Sequence, residues 1–391
     1  VDGRTEYMAV TQFEAPYARR AFPCWDEPEF KATFEISLTC DAGLTAVSNG
    51  AETARTDLDD GRTRFDFAPT MKMSTYLVAW VIGELEVSDT VRGGTTDIRV
   101  IHRPGQGHLT SFALECAAHS VAWFEEYYGI DYPGQKLDLV AVPDFAFGAM
   151  ENLGCVTFRE NLLLIDPERS NRSEQERAAT VIEHEIAHMW FGDLVTMQWW
   201  NGIWLNEAFA TFMEFCCADS FRPDWEIWTS FGLSKSQAFE TDALAHTRPI
   251  EFEVVTPADA EGMFDILTYE KGASVVRMLE QYLGAERFRA GIAEYLRRHA
   301  FGTTETTDLW DALEEVTGEP VRRIMDSWIF RGGHPVVQVE RLDDGIALTQ
   351  ARGSYDDGAH DEQWPIPMVL TVATDGRAPA EQRLLLEQPT T

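Results

Sequence analysis

At 391 residues, with 45% hydrophobic and 12% aromatic side chains, the chain carries enough apolar material for packed globular domains, which excludes a disordered or fibrous polymer. Its length points to more than one compact domain. A formal net charge of −33 excludes a general affinity for phosphate backbones or anionic lipid, so no nucleic-acid partner is expected and cationic partners are favoured.

From residue 1 to about 88, short β-rich runs at 33–40, 63–67 and 74–82 alternate with Gly, Asp and Asn turn signals, the pattern of an antiparallel β domain. A Gly-Gly turn, a short strand over 97–102 and Pro104-Gly105 lead into a helical stretch at 110–128. A strand at 137–142, the segment Phe147-Gly148-Ala149-Met150-Glu151-Asn152 and a further β run to Ile165 come next. Helical periodicities dominate 173–329, broken by loops such as 247–260 and ended by Gly332-Gly333. Strand patterns return at 336–339, 345–349, 368–372 and 383–386, as at the beginning of a β-sandwich. The expected fold is multidomain α+β: a β domain over 1–88, truncated at its start, a mixed α/β then helical domain over 89–333, and a partial β-sandwich over 334–391.

Six cysteines lack paired metal spacing and read as buried reduced thiols. No apolar run nears the roughly 20 residues of a membrane span. The chain begins at Val1 in what reads as a sheet segment, with neither an initiator Met nor a signal-peptide pattern, and a cytoplasmic location is the default expectation.

Chemistry concentrates after a capping-box pattern at Ser173-Glu174-Gln175-Glu176, which predicts a helix carrying His184-Glu185-Ile186-Ala187-His188 and stopping near Gly192. Residues four apart on a helix are separated by only about 40° around its axis, so the two imidazoles share one side and can hold one metal. A catalytic zinc needs a third protein ligand and an open position. Glu207, nineteen residues after His188 at the start of a second helical pattern, is the candidate. Glu185, at the edge of the same face, is placed to take a proton from water as general base. The alternative is an ordinary surface helix, since this five-residue pattern arises by chance on the order of once in fifty such chains.

Gly148-Ala149-Met150-Glu151-Asn152, lying upstream of the histidine pair and Glu207, resembles the aminopeptidase N family of gluzincin metallopeptidases, with a thermolysin-like catalytic domain and one zinc ion per chain. The resemblance extends through Thr11-Gln12-Phe13-Glu14, Ala18-Arg19-Arg20-Ala21-Phe22-Pro23-Cys24-Trp25-Asp26-Glu27-Pro28, Trp199-Trp200 and Tyr269-Glu270-Lys271-Gly272. It implies that Glu151 and Glu14 bind the free α-amino group of a peptide. Gly148, Ala149 and Met150 would line its backbone, Gln12 the pocket for its first side chain, and Tyr269 would stabilise the oxyanion. Met189, Asp193, Gln198 and Ala208 depart from the family pattern, which has Gln, Asn, Glu and Gly there, and the family's long C-terminal helical domain is expected to be missing. The remaining histidines, at 102, 108, 119, 246, 299, 334 and 360, are expected to have no metal role. The implied activity is zinc-dependent hydrolysis of the N-terminal residue from peptides. A bifunctional epoxide hydrolase and a noncatalytic peptide-binding scaffold are the alternatives, and oligomeric state is left open.

Overall fold

The computed structural model describes residues 6–343, 345–356, 361–372 and 380–388; Val1, with its expected sheet segment, and His360 lie outside them. In the strand Arg62–Phe67, Thr63, Phe65 and Phe67 are buried while Arg62 and Arg64 are exposed, the period of two that a half-covered strand imposes. It pairs antiparallel with Ser37–Asp41 and with Glu52–Asp57. Phe65 and Phe67 meet Cys40 and Ala46 in a core that Ile36, Leu38, Leu44 and Ile82 complete. Another antiparallel sheet sets Trp80–Gly83 between Ala9–Val10 and Thr45–Ser48. The strand expected over 74–82 is shortened to Trp80–Gly83. Thr75–Leu77 form a 3₁₀ turn, and the Asn49 side chain bonds the Leu77 carbonyl at 2.7 Å and the Ala79 N–H at 2.8 Å where a strand would have needed a ladder partner.

A mixed sheet follows. Leu137–Val142 is buried at every position and runs parallel to both Thr96–His102 and Cys155–Arg159, as continuous apolar runs do when both faces are covered. Asp138 interrupts that run, neutralised by Arg99 and Lys136, each at 2.8 Å. Ala149–Met150 adds antiparallel to Cys155–Arg159, and Glu86–Val87 and Val91–Gly93 add antiparallel to Thr96–His102. Helices α1 (Ser111–Tyr128) and α2 (Arg172–Ala187) pack together. The helical region continues through α3 (Trp204–Phe221), α4 (Trp228–Asp242), α5 (Pro257–Glu261), a π-helical turn at Leu267–Lys271, α6 (Gly272–Leu283), α7 (Ala285–Arg298), α8 (Thr306–Thr317) and α9 (Val321–Ile329). Two antiparallel hairpins follow: Pro335–Arg341 with Ile346–Arg352, and Ile366–Val372 with Ala380–Leu386.

Contacts divide the chain into two compact units. One comprises Val1–Trp200, Met213–Trp228 and His299–Thr304, the other Asn201–Phe212, Thr229–Arg298 and Glu305–Thr391. The core of the first includes Phe124, Tyr128, Phe158, Trp190 and Phe191, with the Tyr128 and Trp190 rings 5.3 Å apart. In the second, Leu279, Leu283, Ile292, Leu296, Leu309, Leu313 and Ile324 are buried on the facing sides of α6 to α9. The protein is thus α+β, antiparallel sheets preceding a helical region. None of the six cysteines is in a disulfide; Cys24 and Cys216 are half-buried and the others buried. No helix among the described residues is long and apolar enough to cross a membrane.

Candidate functional site

Helix α2 is capped two residues earlier than its sequence suggested. Asn171, in extended geometry (φ −76°, ψ 168°), accepts the Glu174 N–H at 3.0 Å, and the Glu174 carboxylate takes the Asn171 N–H at 2.8 Å. Ser173 and Glu176 fit the same pattern but lie inside the helix, where Glu176 pairs with Arg172 instead. The far end also stops sooner than Gly192. The helix closes at Ala187, and His188 is its C-cap, still with helical dihedrals (φ −60°, ψ −22°). The N–H groups of Asp193, Leu194 and Val195 then turn back onto the carbonyls of His188, Met189 and Trp190, with Gly192 at φ +132°, a conformation open to glycine. His188 therefore keeps the helical phase that sets it beside His184 although it stands at the helix end.

The two rings meet through Nε2, 3.0 Å apart. His184 Nδ1 lies 2.6 Å from the Glu214 carboxylate and His188 Nδ1 lies 2.8 Å from the Phe191 carbonyl. A backbone carbonyl only accepts, as does an ionised carboxylate, so a neutral ring at either position carries its proton on Nδ1 and keeps Nε2 as the atom able to ligate a metal. Two nitrogens on one tetrahedral zinc, each at about 2.0–2.1 Å, lie roughly 3.3 Å apart, close to the separation observed. Ligand atoms of His184, His188 and Glu207 all lie within 4.8 Å of one another, so the donor set fits a metal ion.

Glu214 was not singled out from the sequence. It lies seven residues, or two helical turns, after Glu207 on α3, and that spacing on one face is the signal that could have found it. Glu183, next to His184, is fully buried, and burial followed by the nearby Glu214 pushes its carboxyl well above the usual range.

A second cluster is wholly acidic. Carboxylate oxygens of Glu14, Glu151 and Glu207 lie within 4.8 Å of one another, Glu151 and Glu207 buried and Glu14 half-buried. Glu151 follows directly on the edge strand Ala149–Met150, whose register against Cys155–Arg159 fixes its place. Gly148 just before that strand accepts the Arg159 N–H at 2.9 Å, and Gln12 Nε2 reaches Met150 Sδ at 3.2 Å. Asp193 is buried too; burial, then Glu151, pushes its carboxyl well up, while His188 and Lys31 oppose the shift. Lys31 Nζ donates to the Asp193 and Leu194 carbonyls at 3.0 and 3.2 Å, and burial brings it down to about 7.

Tyr269 stands on the π-helical turn, in which the Lys271 N–H reaches back to the Ile266 carbonyl at 3.1 Å. Gly272, opening α6, approaches α3 so closely that a Cβ on it would sit 2.6 Å from Cβ of Ala208. That approach sets the turn bearing Tyr269 against the residue that follows Glu207.

Residues 112–328 match the family model for the peptidase family M1 domain, and residues 1–77 match the peptidase M1 N-terminal domain. Among curated proteins, the chain is similar to aminopeptidase M1-D of Oryza sativa subsp. japonica, with 43% identity over 94% of this chain and 42% of the relative. It is likewise similar to aminopeptidase 2 of Candida albicans, with 45% identity over 90% and 38%, and to tricorn protease-interacting factor F2 of Thermoplasma volcanium, with 42% over 93% and 46%. The chain spans less than half the length of these relatives. With a family model covering more than half of its residues and an N-terminal model preceding it, the chain belongs to peptidase family M1.

Proposed function

We propose that the protein is a zinc-dependent aminopeptidase that hydrolyses the N-terminal residue from peptides with a free amino terminus. The observation that carries this reading is the acidic cluster of Glu14, Glu151 and Glu207 beside the paired imidazoles. A cluster of carboxylates is a site suited to a cation, and a peptide's α-ammonium is a cation that an exopeptidase must reward and an endopeptidase never meets. The names of the relatives agree, two of the three being aminopeptidases.

In this mechanism His184, His188 and Glu207 hold one zinc ion, which when bound supplies Lewis acidity at the substrate carbonyl and lowers the pKa of water. Glu151 and Glu14 bind the α-ammonium and so fix the register at one residue from the chain end. Gly148, Ala149 and Met150 line the substrate backbone and Gln12 the pocket for the first side chain. Glu185 takes a proton from the attacking water and returns it to the departing amine. The Tyr269 hydroxyl donates to the oxygen on which negative charge develops. The same resemblance supports reading 89–333 as a thermolysin-like catalytic domain, and the returning strand patterns support reading 334–391 as a β-sandwich segment.

Replacing Glu185 by Gln removes the base and leaves the ligands in place. Zinc content by elemental analysis is expected to stay near one per chain while hydrolysis of an aminoacyl substrate falls about 10²–10⁴-fold. Full activity in that variant overturns the mechanism.

A further inference from the structure

Lys271 follows Tyr269 by two residues and has no part in the mechanism above, yet its side chain is 1% exposed and its Nζ lies 2.9 Å from Asp242, which is 0% exposed. The pair closes a ring around one residue: Lys271 Nζ donates to the Gly333 carbonyl at 3.1 Å, and the Gly333 N–H donates to Asp242 at 2.9 Å. Asp242 also accepts from Thr247 Oγ1 at 2.8 Å and from His334 Nδ1 at 3.2 Å, and the His334 ring stacks on Phe239 at 4.6 Å. Burial alone would raise the Asp242 carboxyl, but His334 and Lys271 outweigh it and hold it at about 2, ionised at any working pH.

Burying two charges is costly, and an apolar pair of similar volume often gives equal or greater stability, so this arrangement is poorly explained by stability alone. What it holds is a π-helical turn, a rare and weakly bonded geometry in which one extra residue is accommodated. That residue rotates what precedes it by about 100° relative to a regular helix. The direction of Tyr269 therefore depends on the turn keeping its i→i+5 bonds. The opposite end of the turn is clamped as well. Asp265 accepts the Leu267 and Thr268 N–H groups at 2.8 and 3.3 Å and is itself paired with Arg248, whose guanidinium also donates to Thr268 Oγ1 at 2.9 Å. Tyr269 lies between two ion pairs, one at each end of a single five-residue turn.

We propose that the buried Lys271–Asp242 pair, gripping Gly333 from both sides, is a positioning device that sets the Tyr269 hydroxyl for the reaction. The proposal rests on the reading of Tyr269 as the donor to the developing oxyanion. Misplacing a catalytic group by about 1 Å costs on the order of 10²-fold in rate, which fixes the size of effect to look for.

The test is a double-mutant cycle on the full chain, using Asp242→Asn, Lys271→Met and Tyr269→Phe, with folding followed by circular dichroism and zinc by elemental analysis. Asp242→Asn keeps a carbonyl acceptor for Gly333 and Thr247 and carries the test if Lys271→Met does not fold. Expected is a loss of about 10²-fold in kcat with KM and zinc content held, and no further loss when the same change is made in the Tyr269→Phe chain. Unchanged kcat in folded Asp242→Asn, or a loss that multiplies with that of Tyr269→Phe, overturns the positioning role and leaves Tyr269 as it was. Full kcat in Tyr269→Phe alone removes the oxyanion reading itself, and the proposal with it.

Discussion

An imidazole turns a lone pair toward a metal only when its other nitrogen has an acceptor to hold the proton, and that second contact also raises the basicity of the ligand. Glu214 provides this for His184 at 2.6 Å. Replacing Glu214 by Ala is expected to weaken metal affinity about 10–100-fold, measured by competition with a chelator, and an unchanged affinity would contradict the assigned tautomer. The four-residue spacing of His184 and His188 was readable because a helix repeats every 3.6 residues whatever surrounds it. Roles for Glu14, Gln12 and Tyr269 were not readable in that way. Gln12 and Glu14 lie about 170 residues before the histidine pair and Tyr269 about 80 residues after it, no local period links them to it, and only the family resemblance picked them out.

Among the elements, those carried by hydrophobic period and turn chemistry were legible: α1 within a residue of its expected start, the strand Leu137–Val142, and the C-terminal strands. Elements decided by side-chain hydrogen bonds were not. Asn49 cut short one strand, and Asn171 competed with Ser173 for the cap of α2, two matches to one pattern that only the backbone geometry separates. The π-helical turn is a third case, since an i→i+5 bond leaves no period in a sequence of five residues. The crossing of α3 by the start of α6 tests the packing there. Gly272→Ala sets two methyl groups 2.6 Å apart and is expected to cost about 1–3 kcal/mol in thermal or denaturant unfolding. Adding Ala208→Gly, which removes the opposing methyl, should restore most of the loss, whereas equal destabilisation in both chains would place the strain elsewhere.

At the scale of the whole molecule, the order of sheets before helices could be read from the succession of period-two and helical patterns, and family membership from motifs distributed along the chain. The parallel placement of Leu137–Val142 between Thr96–His102 and Cys155–Arg159 could not, because strand neighbours in a mixed sheet are chosen by crossover connections. The net charge of −33 acts over the entire surface. A field of that sign draws in cationic substrates and is screened over about 10 Å at 0.1 M salt. The value of kcat/KM for an N-terminal arginine substrate is therefore expected to fall with added salt more steeply than that for an alanine substrate; a ratio independent of salt would remove the steering argument.

The acceptor of His188 Nδ1 is the main-chain carbonyl of Phe191, and any amino acid at position 191 carries the same carbonyl. The acceptor of His184 Nδ1 is a side chain, which a single codon change can erase. One imidazole is thus insulated from inherited variation while its neighbour is exposed to it. On the proposed zinc reading, a substitution at 214 removes that acceptor outright, whereas a substitution at 191 leaves the acceptor atom in the chain.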